Sequence, residues 1–253
     1  AYESYMGRWS RLLARPFVEW LAVAPGGHWL EVGCGTGALT KTICEHAEPA
    51  SVVASDSAEA FVAHAREHMT DSRVSFVVAA ADALPQRPGG FDAIVSGLVL
   101  NFVPQPERAL AGMRERLSAN GTAAAYVWDY ANGTEFLVHF WAEAVAGDAR
   151  AAVLDERTRF PLCDREALAS AFRAAGFAAV QTTALVVPTV FADFDDFWKP
   201  FLGGTGPAPA YVMSLEPSRR DDLRDRLRRR LVAERDGSLR LQARAWAARG
   251  SRA

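Results

Sequence analysis

Along the first half of the chain, short continuous apolar runs alternate with segments whose apolar residues recur every three or four positions. "HWLEVG" leads into "ALTKTICEHA", and "SVVASD" into "SAEAFVAHAREHM". "RVSFVVAA" and "FDAIVSG" follow, then "PERALAGMRERL" and "TAAAYVWDY". Strands that are apolar throughout, rather than at alternate positions, suit a parallel sheet covered by helices on both faces. The pattern therefore predicts a doubly wound α/β sheet, preceded by a helical segment from Arg8 to Leu21 that Pro16 interrupts. After Tyr130 the rhythm changes. "GTEFLVHFWAEAVAGDA" and "DREALASAFRAAG" read as helices, "FAAVQTTALVV" as a sixth strand, and the last strand starts only at Ser238. The stretch from Phe191 to Asp236 is too long for a hairpin and rich in aromatics, which suits a packed insertion. The organisation expected is one domain over 1–253, with helical insertions at 131–165 and 191–236 that form a cover.

Composition narrows the function classes. Of 253 residues half are hydrophobic, enough for a full core, and the net charge of -2 gives no bulk field to recruit nucleic acid or an anionic membrane. Three scattered cysteines, Cys34, Cys44 and Cys163, do not make a disulfide framework or a four-ligand zinc site. The expected setting is the cytoplasm, with a small-molecule partner, no metal, no nucleic acid and no membrane, in a monomer or homodimer. The arginine-rich stretch from Ser218 to Asp236 holds eight arginines against five acids, and its stripe of Leu223, Leu227 and Leu231 reads as a packed amphipathic helix.

Chemistry concentrates in "WLEVGCGTGALT". A strand, a glycine turn and a helix bring backbone amides to a helix N-terminus, where a carboxylate or phosphate is favoured. Spelled Gly33-x-Gly35-x-x-Ala38, the loop satisfies a dinucleotide fingerprint, which keeps a nicotinamide-dependent oxidoreductase as an alternative. Spelled Glu31-x-Gly33-x-Gly35-x-Gly37, it resembles the first motif of class I S-adenosylmethionine-dependent methyltransferases. Asp56 closes the second strand, "AAADALP" places Asp82 and Ala83 after the third, and "FDAIVSGLVLNFVPQPERALAGMRERLSANG" resembles the fourth-strand signature of the small-molecule superfamily that includes the ubiquinone and menaquinone methyltransferases.

That resemblance covers about Trp29 to Tyr130. It implies a seven-stranded, mostly parallel Rossmann-like sheet whose last strand is antiparallel. It further implies S-adenosyl-L-methionine as cofactor, S-adenosyl-L-homocysteine as product, and methyl transfer to a small organic acceptor, or a regulator that binds the cofactor without catalysis. Asp56 would hold the ribose, while Asp82 and the Ala83 amide would read the adenine. Glu31, Gly33, Cys34, Gly35, Gly37 and Ser57 would build the rest of the cradle, with Arg8 facing the cofactor's carboxylate. Ser96, Gly97 and Leu98 would line the boundary with the acceptor. Many relatives carry a histidine where this chain has Asn101. No base is compulsory for the transfer; the candidates are His139, Asp129 and Tyr130. Phe197, Trp198 and Phe201 either face the acceptor or complete the core beneath a long loop, and "GGTGP" at 203–207 is the point where a cover would flex.

Overall fold

Each continuous apolar run of the first half forms a strand. The computed structural model describes residues 6–203 and 206–252, so part of the "GGTGP" break lies outside the described residues. In order come α1 (Arg8–Leu21), β1 (His28–Val32), α2 (Ala38–His46), β2 (Ser51–Asp56), α3 (Glu59–His68), β3 (Val74–Val78), β4 (Phe91–Gly97), α4 (Pro106–Arg116) and β5 (Leu117–Trp128). Then follow α5 (Glu135–Gly147), α6 (Glu156–Arg159), α7 (Arg165–Ala174), β6 (Ala178–Phe191), α8 (Phe194–Trp198), α9 (Pro207–Ser214), α10 (Pro217–Arg230) and β7 (Leu239–Ser251). The seven strands make one sheet in the order β3-β2-β1-β4-β5-β7-β6. Pairing from β3 through β2, β1 and β4 to β5 is parallel, and the last strands are antiparallel. Strand order reverses between β1 and β4, and open sheets take ligands beyond the carboxyl ends at such a point.

Three boundaries differ from the apolar pattern, each for a local reason. α1 continues through Pro16. The ring removes one amide and orphans the carbonyl of Leu12, which is 44% exposed, so water can serve it. β5 begins at Leu117, ahead of its apolar run, with a register shift where Phe91 and Ala93 pair with it. β6 runs on through Pro188 to Phe191, which an edge strand tolerates because one side of its ladder has no partner.

The contacts group into two compact units. The first, here the insertion unit, takes the described residues of Ala1–Ser10, Trp128–Cys163 and Val186–Ala245. The second, the sheet unit, takes those of Arg11–Val127, Asp164–Leu185 and Trp246–Ala253. The insertion unit has an aromatic core of its own. Phe140 stacks on Phe201 at 4.6 Å with planes 6° apart, Phe197 packs on Phe201 and Phe191, and Tyr211 lies against Trp141. Leu223, Leu227 and Leu231 are buried as the stripe requires. The arginines of α10 find acids: Arg226 and Arg230 reach Glu143, and Arg228 reaches Asp195.

Candidate functional site

β1 ends at Val32 and the chain turns sharply at Gly33, where φ is +78°. A Cβ there would lie 2.6 Å from both γ-carbons of Val99, so glycine lets the loop close onto the segment after β4. The loop's amides are largely spent inside the protein. Gly33 and Cys34 donate to Ser55 O at 2.7 and 2.9 Å, Gly37 donates to Cys34 O at 2.8 Å, and Gly35 donates to Asp56 Oδ2 at 2.9 Å. The expected row of free loop amides is therefore not what this turn offers. What it offers is close approach, together with the first turn of α2, whose Gly37 cap makes no side-chain bond.

Asp56 is the organiser. One carboxylate oxygen holds Gly35 N–H and the other holds Ala58 N–H at 2.9 Å, which fixes the side chain at the end of β2. An ionised carboxylate has about four acceptor positions, so two remain. Beside it opens a cleft of about 430 Å³ within the sheet unit, lined by Gly33, Asp56, Ser57, Asp82, Val99 and Arg108 among others. That volume lies in the usual range for a small-molecule pocket. Asp82 lines the cleft and has no hydrogen-bond or ion-pair partner among the described residues. The Ala83 amide donates to Ala80 O at 3.0 Å, which leaves the Asp82 carboxylate as the open polar group of that turn.

Glu31 and Cys34 lie behind this surface. Glu31 is 2% exposed, and burial above all pushes its carboxyl up to about 7, against the hydrogen bond from Thr40 Oγ1 and with help from the charge of Asp56. Burial, then the charges of Glu31 and Asp56, drive the Cys34 thiol far up, so it is no nucleophile. At the end of β4 the Ser96 hydroxyl donates to Val32 O, and a Cβ on Gly97 would sit 2.6 Å from the Tyr126 hydroxyl. Leu98 occupies the left-handed region with φ +59°, held by its amide bond to Tyr126 O. Strain of about 1–3 kcal/mol at such a residue persists only where the surroundings enforce it.

The cleft also contains residues that the sequence did not single out: Val99, Phe102, Gln105 and Arg108. Val99 caps and Phe102 closes a 3₁₀ turn at Leu100–Phe102, and three residues per turn put them on one face. A ring 59% exposed at Phe102 is the signal they leave. Asn101 carries a buried side-chain nitrogen without a partner among the described residues.

The insertion unit holds the remaining candidates. Arg8 makes a two-pronged ion pair with Asp196, at 2.8 and 3.0 Å, and lies over the Trp9 and Phe191 rings. Asp129 is buried and accepts from Arg244 Nε and Nη2 at 2.8 and 2.6 Å. The Tyr130 ring packs on Phe160. His139 Nδ1 takes Arg230 Nε–H at 2.9 Å; partial burial first and the Arg230 charge second lower its pKa. Phe197, Trp198 and Phe201 are 1%, 7% and 1% exposed within the aromatic core.

The profile of a methyltransferase domain family matches residues 30–121, the span from β1 to the start of β5. Demethylmenaquinone methyltransferase from Clavibacter sepedonicus is 30% identical over 175 residues, covering 63% of this chain and 70% of that protein. The chain belongs to the class I S-adenosylmethionine-dependent methyltransferase family. Membership decides between the two spellings of the glycine loop. Ubiquinone biosynthesis O-methyltransferase from Xanthomonas campestris is 34% identical over 101 residues, 39% of this chain, and the match spans only 41% of that relative's length. An S-adenosylmethionine-dependent methyltransferase from Thermotoga maritima has a TM-score of 0.54 and 17% identity, covering 100% of this chain and 94% of its own, a likeness of fold.

Proposed function

We propose that this chain transfers the methyl group of S-adenosylmethionine to a small organic acceptor, with the cofactor held in the cleft of the sheet unit. The supporting observation is a pair of carboxylates in one cleft with different standing. Asp56 is fixed by two amides and keeps two acceptor positions for ribose hydroxyls, while Asp82 is unpartnered among the described residues and suits an adenine amine. Gly33, Gly35, Gly37 and Ser57 complete the cradle, and Ser96, Gly97 and Leu98 bound its acceptor side.

When bound, the cofactor supplies an electrophilic methyl carbon on a sulfonium, so the protein has mainly to align the acceptor and keep water out. Rigid backbone at Gly33 and Leu98 suits alignment. Of the three candidate bases, Asp129 is held by Arg244, and His139 spends its acceptor nitrogen, Nδ1, on Arg230 Nε–H. Phe197, Trp198 and Phe201 close on one another inside the insertion unit, which supports the core reading of these rings. The three cysteines are free thiols, which fits a reducing cytoplasm.

Calorimetry with S-adenosylhomocysteine tests the site. Asp56→Ala removes a charged acceptor worth about 1.5–3 kcal/mol, so the dissociation constant should rise tenfold or more. In a thermal melt, the same ligand at a hundredfold excess over its dissociation constant should add about 2.7 kcal/mol of stability. Stabilisation by NAD with none by S-adenosylhomocysteine would overturn the reading.

A further inference from the structure

A second cleft lies in the sheet unit at the other end of β4. Its volume is about 650 Å³, and its walls include Arg87, Arg116 and Arg252, with Gly90 and Leu117 of the adjoining chain. The three arginines come from the approach to β4, the end of α4 and the end of β7. All are half-buried, and each guanidinium is moored to main-chain carbonyls. Arg87 Nη1 donates to Pro88 O and Gly90 O at 3.1 and 2.8 Å. Arg116 Nε donates to Leu84 O at 2.8 Å, and Arg252 Nη1 donates to Glu115 O and Leu117 O.

Carbonyls orient a guanidinium without cancelling its charge. Glu115 is the only acid in the wall among the described residues; its carboxylate is 71% exposed and 3.5 Å from Arg116. The next acid, Asp92, spends its oxygens on His28 N–H and the Ser118 hydroxyl. The wall thus keeps more positive charge than its acids offset, on forks already immobilised. Moored guanidiniums match the planar, two-pronged geometry of phosphate oxygens. The cleft is larger than one phosphate requires.

We propose that this cleft binds a small anion carrying two or more phosphates, separately from the cofactor cleft. The shared chemistry is a diphosphate group, whether free or on a nucleotide, and two probes distinguish these sources. Calorimetry of the full chain at low salt should show submillimolar binding of inorganic pyrophosphate that weakens with added salt. If ADP, added with S-adenosylhomocysteine saturating, binds at least tenfold tighter, the nucleotide is the natural form; equal affinity assigns the site to the diphosphate alone. Arg87→Gln and Arg252→Gln should each raise the dissociation constant for pyrophosphate tenfold or more. Because Arg252→Gln also frees two carbonyls, the unmodified chain provides a second measurement. Pyrophosphate should slow phenylglyoxal modification of Arg87, Arg116 and Arg252, read by mass spectrometry, and leave Arg108 of the cofactor cleft unprotected. Absence of binding at millimolar pyrophosphate, or protection of Arg108 in place of these three, would overturn the proposal.

Discussion

The sheet unit and the insertion unit are both well packed, yet they treat their polar groups in opposite ways. In the sheet unit the carboxyl ends of the strands leave Asp82 without a partner among the described residues and give Asp56 only part of its capacity in bonds. In the insertion unit Arg8 is closed by Asp196, Asp129 by Arg244, Arg157 by Asp155, and Glu143 by two arginines. Its aromatics likewise close on each other. The open carboxylates of the sheet unit are the ones the proposed cofactor would use. The closed ion pairs of the insertion unit suit a scaffold, although Trp9 Nε1, Thr189 Oγ1 and Arg226 Nε are buried there without hydrogen bonds among the described residues. Each unit also buries one glutamate, Glu31 under Thr40 and Glu156 against the Trp141 N–H, and burial pushes both up to about 7.

The largest way to test this contrast is to open the insertion core. Phe201→Ala removes a stacked, fully buried ring and should cost about 3–5 kcal/mol in a urea melt. For the scaffold reading to stand, S-adenosylhomocysteine affinity of the remaining folded protein should stay within twofold; a large loss of affinity would break the division. Gly33→Ala comes next. It sets a Cβ against Val99 at a positive φ, and the two costs together are about 2–4 kcal/mol, with affinity falling as well. Gly33→Ala with Val99→Ala should recover the steric part and leave the backbone part.

The two glutamates predict a pH dependence. Unfolded, each ionises near its ordinary value of 4.5, whereas the native chain keeps the proton until about 7. Between these values the native state binds more protons, so stability should fall as pH rises through that window and level off above it. The drop between pH 5 and 8 should be on the order of 2–3 kcal/mol for each group. Glu31→Gln and Glu156→Gln should each remove a share of that slope. The cationic cofactor should lower the pKa of Glu31 alone, so its presence would flatten the Glu31 share and leave the Glu156 share intact. The smallest effect is expected at Arg8. Its half-exposed pair with Asp196 should be worth under about 1 kcal/mol, and Arg8→Gln should leave S-adenosylhomocysteine affinity within twofold in calorimetry. A tenfold loss would place Arg8 in the site and dissolve the contrast there.

Much of this was legible because the signals are local. The order of β1 to β5, the glycine turn, the acids at the ends of β2 and β3, and the leucine stripe of α10 all follow from spacing along the chain. Pro16 misled because a proline's effect depends on whether the orphaned carbonyl meets water, which the exposure of Leu12 settles. Val99 and Phe102 were hidden in a continuous apolar run, where nothing distinguishes a core position from a cleft wall.

The sequence by itself determined the alternation of strand and helix, the family, and the residues from which a cofactor cradle can be made, because periodicity and turn chemistry act over a few residues. Only the tertiary structure decided which of those groups stay open. Arg8 finds Asp196 across 188 positions and Asp129 finds Arg244 across 115, while Asp82 finds none among the described residues. Whether a charge is spent depends on which distant side chain the fold brings beside it, and no local pattern carries that information.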